Sequence, residues 1–206
     1  MDDDTLIRTR RALHGVAELL LAGPQYAAGN GIRLRPVPGG FATVKAPDIR
    51  VEGLSLVTEK ARLPMRGTYA ELARGLGLQA RPLDDVYAGG PGIAPDDPVE
   101  VAPEAAAQLA EAFATGAAAL GEFAPDQEAV LWPEHFDLGI SVAGVNYGLS
   151  PGDDEIPRPY AYVGPHTPRP GAFWNEAFGA ARSLRDLPEV AAVVAFFREG
   201  QRLADR

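Results

Sequence analysis

The chain changes its hydrophobic period several times, and each change marks an element. Leu6, Leu13, Val16 and Leu20 recur at helical spacing, behind a cap at Asp4 or Thr5 and with acids at the positive end of the dipole. This pattern predicts a helix over 5–22 that Gly23-Pro24 stops. From Gly31 the period falls to two. Ile32, Leu34 and Val37 come first, then Phe41 to Val44, then Ile49 and Val51, with Leu54 and Leu56 beyond Gly53. Pro38-Gly39-Gly40 predicts a hairpin turn and Gly53 a bulge, so an antiparallel meander is expected over 31–57. Arg33, Arg35, Arg50 and Glu52 alternate with the apolar positions and read as its solvated face.

Thr68 with Glu71 three residues on makes a capping box for a short helix near 68–76. It looks like the first helix of a helix-turn-helix, but no recognition helix follows. Residues 81–101 are rich in Pro, Gly and Asp and read as a connection. Pro103 and Glu104 open an Ala-rich helix over 103–123, with Leu109, Phe113, Leu120 and Phe123 turned inward. Strands resume over 130–164. A last helix over 187–204 sets Val190, Val193, Val194 and Phe197 opposite Arg198, Glu199 and Arg202. Together these elements predict one α+β domain over 1–206, its mainly antiparallel strands packed against long helices. The periodicity leaves open whether the two strand groups share a sheet.

Composition removes several functions. Net charge is -9, which argues against a nucleic-acid partner, since phosphate binding draws on clustered Lys and Arg. With no cysteine there are no disulfides, no thiolate catalysis and no Cys-ligated metal. The N-terminal segment opens with acids and carries Arg8, Arg10 and Arg11 inside its apolar pattern, so it reads neither as a signal peptide nor as a membrane span. A soluble protein of the cytoplasm is expected. Lys occurs only at positions 45 and 60 while Arg, Ala, Gly and Pro abound, the mark of a GC-rich genome. His14 lies beside the apolar face of its helix and reads as a boundary residue outside any site.

Candidate chemistry gathers between Leu131 and Pro165. If the strand runs through Phe136 to Val142, His135 and Asp137 project to one face. Asp137 would then orient the imidazole as a general base, or both would ligate a divalent ion. The turn from Ser150 to Pro157 carries Asp153, Asp154 and Glu155, an oxygen-rich candidate metal site without EF-hand spacing. The competing reading is that Asp153 caps the turn and the other two acids are solvated. Tyr160 and Tyr162 alternate with Ala161 and Val163, so both phenols share a face. They would wall a ligand site with Asn146 and Trp174, although strand tyrosines more commonly pack on their neighbours. Trp174 and Trp132 would either rim that pocket or fill the core, and His166 sits in a Pro-rich loop. No G-x-S-x-G, H-E-x-x-H, P-loop or dinucleotide fingerprint occurs, and no cofactor is indicated.

WPEHFD, Asn-Tyr-Gly, Ser-Pro-Gly-Asp-Asp, Pro-x-Pro-Tyr and a later Phe-Trp-Asn together resemble an uncharacterised bacterial protein family with W-P-x-H-F-D and G-D-x-x-x-P-x-P-Y segments. The likeness covers about residues 131 to 180. It implies shared structure rather than a reaction, and it marks His135, Asp137, Gly152, Asp153, Pro157, Pro159 and Tyr160 for testing. Between its two prolines that family usually has an acid, where this chain has Arg158. The expectation is a small-molecule or divalent-cation binding protein, with metal-assisted hydrolysis as the first chemistry to screen. The alternative is a structural or protein-interaction protein in which these segments serve the fold.

Overall fold

In a computed structural model that describes residues 2–205, the N-terminal helix outruns its expected stop. Helix α1 (Asp3–Gly15) is capped two or three residues earlier than expected, by the Asp2 carboxylate accepting from the Thr5 N–H at 2.8 Å. It then widens into a π-helical segment (Val16–Ala22) and continues as α2 (Gly23–Ala27). Gly23-Pro24 therefore does not end it. The Gly23 N–H donates to Glu18 O, five residues back. This shifted register brings Pro24 to the first turn of a new α segment, where a missing N–H and a fixed φ are tolerated. Every residue of the π segment is buried, and Leu19, Leu20 and Leu21 are fully enclosed.

The strands form two runs. The first holds β1 (Leu34–Val37), β2 (Gly40–Thr43), β3 (Arg50–Glu52), β4 (Ser55–Val57) and β5 (Arg62–Pro64). Helices α3 (Tyr69–Gly75) and α4 (Pro103–Phe123) follow, the first with the expected Thr68/Glu71 capping box. The second run holds β6 (Val130–Trp132), β7 (Asp137–Val142), β8 (Val145–Ser150), β9 (Tyr160–Pro165) and β10 (Ala180–Ser183), before α5 (Val190–Ala204). All ten strands make one antiparallel sheet, joined through the pairing of Leu34 in β1 with Leu131 in β6. The α+β expectation holds, and the two strand groups share a sheet. Gly53 proves not to be a bulge. With φ of 57° it turns a tight hairpin with Leu54 between the paired residues Glu52 and Ser55. Strands β5 and β10 lie outside the expected spans.

The pleat of β7, β8 and β9 divides their residues into two unlike faces. Leu138, Ile140, Tyr147, Leu149, Ala161 and Val163 are buried on one side. Helices α4 and α5 press onto it so closely that a Cβ at Gly116 or Gly200 would come within 2.8 Å of Leu149 or Val163. The other face carries Asp137, Gly139, Ser141, Asn146, Gly148, Ser150, Tyr160, Tyr162 and Gly164. These residues are small or polar, and they form the floor of a cleft. Among the described residues no helix is long and apolar enough to cross a membrane.

Candidate functional site

The hairpin from β6 to β7 decides where the candidate residues point. Trp132 pairs with Asp137, so residues 133–136 are a turn, and Phe136, expected to begin the strand, lies in it. Phe136 has φ of 53°, a left-handed conformation uncommon for a bulky residue. Its ring is buried in an aromatic cluster, stacked on His14 at 5.3 Å and edge-on to Phe41 at 5.4 Å and Phe113 at 5.2 Å. Burying that ring from within a turn costs backbone strain and swings the preceding residue outward. His135 is accordingly exposed, its Nε2 3.9 Å from the Glu134 carboxylate, and no hydrogen bond joins it to Asp137. The expected base and its orienting carboxylate are thus not a pair.

Asp137 finds its partner across the sheet. Gly139, Gly148 and Tyr162 form one transverse row of β7, β8 and β9. With no side chains on the two glycines, the Tyr162 ring lies over them and its phenol donates to Asp137 Oδ2. A Cβ on Gly148 would stand 2.4 Å from that phenol oxygen and one on Gly139 2.7 Å from it. Burial pushes the Asp137 carboxyl above the usual carboxylate range, against the opposing pull of the Tyr162 donor. Burial and then the adjoining carboxylate push Tyr162 well above the usual phenol range.

A second pair lies beside the first. Tyr160 donates to Asp153 Oδ2 at 2.5 Å, while Asp153 Oδ1 accepts the N–H groups of Glu155 at 2.8 Å and Ile156 at 2.7 Å. Both oxygens are thereby occupied. Asp154 and Glu155 are exposed, and Asp154 stands 3.6 Å from Arg10. Asp153 thus caps the turn and the other two acids are solvated, the competing reading of this segment, and the three diverge rather than form the candidate metal site. No group of three or more His, Asp or Glu side chains among the described residues is placed to hold a metal ion.

Tyr160, Tyr162 and Asn146 do share the cleft, and Asn146 Oδ1 is 3.1 Å from His166 Nε2. Trp174 does not. It packs edge-on against Phe173 at 4.8 Å, and that ring continues onto Phe196 of α5. The third ring of the cleft is instead Phe178, 41% exposed, with its centroid 6.3 Å from Tyr160 and 6.4 Å from Tyr162.

The opposite wall comes from α1, where Ile7, Arg10, Arg11 and His14 form one stripe at helical spacing. Arg10 donates to Pro157 O at 3.1 Å, tying the helix to the loop that carries Asp153. Arg11 donates to Pro91 O and Gly92 O, holding the 81–101 connection along the rim. Tyr87 anchors the same connection by donating to the buried Glu18 of the π segment at 2.8 Å. His14, read from sequence as a boundary residue, belongs to this wall. Its Nε2–H donates to Pro133 O at 2.6 Å, and burial lowers its pKa to about 4, so it is neutral at physiological pH. The polar stripe beside the apolar one was the signal for this wall. The open cleft measures about 1150 Å³, room for an organic molecule of ordinary metabolite size.

Fold and site together define an α+β protein with an open polar cleft on the uncovered face of an antiparallel sheet. The chain matches no protein-family profile, no curated protein and no solved structure.

The Asp137 environment gives a test of whether this carboxyl serves stability. Its folded-state value lies above the ordinary 3.8, so the unfolded chain releases this proton first as pH rises. The group therefore supports folding at low pH and loses that contribution as pH climbs through the folded value. Asp137→Asn keeps an acceptor for Tyr162 but cannot ionise. The variant is expected to gain stability relative to wild type as pH rises above about 4. Tyr162→Phe leaves the carboxylate without its donor and is expected to cost about 1–3 kcal/mol. Urea midpoints across that pH range check both, and a loss in Asp137→Asn as large as that in Tyr162→Phe would make the carboxyl a structural group.

Proposed function

We propose that the protein binds a small organic molecule in the cleft between α1 and the open face of β7, β8 and β9. One observation carries this reading. The sheet gives up side chains at Gly139 and Gly148 so that Tyr162 can reach Asp137 across two strands on an open floor. Where the face serves only to fold, apolar residues under a helix would be more stable than a carboxyl whose charge burial disfavours. Residues that oppose stability while facing a cavity are the usual mark of binding or chemistry.

A divalent-cation site has weaker support, because Asp153 spends both oxygens on its own loop and on Tyr160. Were the protein an enzyme, Asp137 rather than His135 would be the group placed for proton transfer, and hydrolysis remains the first class to screen. The bacterial and cytoplasmic setting belongs to the same proposal, its bacterial part supported by the Arg-, Ala-, Gly- and Pro-rich usage.

The test is a fragment library titrated into the full chain and followed by proton–nitrogen correlation NMR. Binders are expected to move the signals of Asn146, Gly148 and Gly164 together, and to lose that effect in Tyr162→Phe. Fragments that never perturb these three, across a library that binds elsewhere on the molecule, would overturn the reading.

A further inference from the structure

The hydrogen-bonding inventory of the cleft is lopsided. Both phenol protons are already given away, Tyr162 to Asp137 and Tyr160 to Asp153, so toward a ligand each phenol oxygen is an acceptor. The second oxygen of Asp137 accepts no hydrogen bond from another of the described residues, and the residue is only partly buried. His14 spends its one proton on Pro133 O, leaving Nδ1 an acceptor. The guanidinium donors are engaged by contrast, Arg10 with Pro157 O and Arg11 with Pro91 O and Gly92 O, which leaves the Asn146 amide and the exposed His135 ring as the open uncharged donors of the cleft among the described residues.

Charge and aromatic character agree with that inventory. Five carboxylates line the cleft against two arginines, and Asp137 makes no ion pair among the described residues. Beside it, the centroids of Tyr160, Tyr162 and Phe178 stand 6.3 to 6.5 Å apart, a compact cluster with the exposed Phe178 ring at its edge. Electron-rich ring faces next to an uncompensated carboxylate attract a cation that brings its own N–H donors.

We infer that the ligand is a small organic amine bound as its ammonium ion, with Asp137 as counter-ion and the Tyr160–Tyr162–Phe178 cluster against its carbon-bearing side. The inference rests on the cleft being the ligand site. A protonated amine supplies the donors that Asp137 and the two phenol oxygens lack, and it meets a carboxylate already aligned by Tyr162. A carboxylate or phosphate ligand would meet acceptors and like charge.

Three probes with one carbon skeleton separate the possibilities: phenethylamine, phenethyl alcohol and phenylacetate, each titrated into the full chain and followed at Asn146 and Gly164. The amine is expected to bind about tenfold or more tightly than the alcohol, the range of a charge-assisted hydrogen bond. Phenylacetate is expected not to saturate. Asp137→Asn should erase the preference for amine over alcohol, and Phe178→Ala, at an exposed ring, should weaken the amine with Asp137 intact. If the alcohol or phenylacetate binds as well as the amine, the amine assignment is overturned while the ligand-site reading stands. If no probe moves the cleft signals but other fragments do, the amine assignment alone falls. If nothing moves them, both fall.

Discussion

Phe136→Ala is expected to cost about 3–5 kcal/mol, the range for removing a large buried aromatic side chain. The ring is 1% exposed, and three other rings lean on it, from α1, β2 and α4. Its loss would therefore open a void where a helix, the first strand run and the long central helix meet. Against a typical total of about 5–15 kcal/mol, that is a large share of the folding free energy. The backbone penalty at φ of 53° stays, because alanine also carries a Cβ. Only the compensation for it disappears. Guanidinium unfolding measures the effect, with Phe136→Leu as the companion that keeps most of the volume and is expected to lose less than about 1.5 kcal/mol. Equal losses in the two variants would mean that ring stacking and not filled volume holds the turn.

Gly148→Ala is expected to have nearly as large an effect for a different reason. The added carbon would lie 2.3 Å from Leu138 O and 2.4 Å from the Tyr162 phenol oxygen. The carbonyl belongs to a strand held on both sides and cannot retreat, so the ring must lift from the floor. Overpacking of this kind costs about 1–3 kcal/mol, and the abandoned Asp137 donor adds to it. The variant is expected to lose stability by about 3 kcal/mol, and its cleft signals are expected to ignore every fragment that moves them in wild type. Gly121→Ala in α4 serves as the control, since nothing lies within 4 Å of its Cβ position. Relief of glycine's helix penalty there is expected to stabilise by up to about 1 kcal/mol. A Gly148→Ala protein as stable as wild type would mean that the ring does not lie across the strands.

Much of this architecture is readable from period alone. The apolar stripes locate α4 and α5, the capping box locates α3, and strict alternation puts Tyr160 and Tyr162 on one face. Strands β5 and β10 escape because Arg-Leu-Pro and Ala-Ala-Arg-Ser have neither alternation nor strong strand propensity, and pairing with a neighbour makes them strands. Pro24 looks like a helix stop because nothing local reveals a change of helical register. The site was half legible. Asp137, Asn146, Tyr160 and Tyr162 stood out as polar residues in an apolar frame, but one left-handed residue at Phe136 parted His135 from Asp137 and left it on the exposed rim of the cleft they share. That conformation comes from packing against residues distant in sequence. Arg10 and His14 belong to a polar stripe that the helical period shows, but only the fold carries that stripe, and Phe178, to the cleft.

The connectivity of the sheet has a consequence for how the cleft comes into being. Every strand pairing except that of β1 with β6 joins neighbours in sequence, so each run can zip up through short loop closures. The cleft's floor belongs wholly to the second run. Its far wall depends on α1 reaching the loop beyond β8, and Arg10 meets Pro157 across a separation of 147 residues. The floor can thus mature early and locally, while the chamber closes only on docking of the chain's first turns. Among thermal openings of the native state, release of that helix would uncover the whole floor without unzipping a single strand.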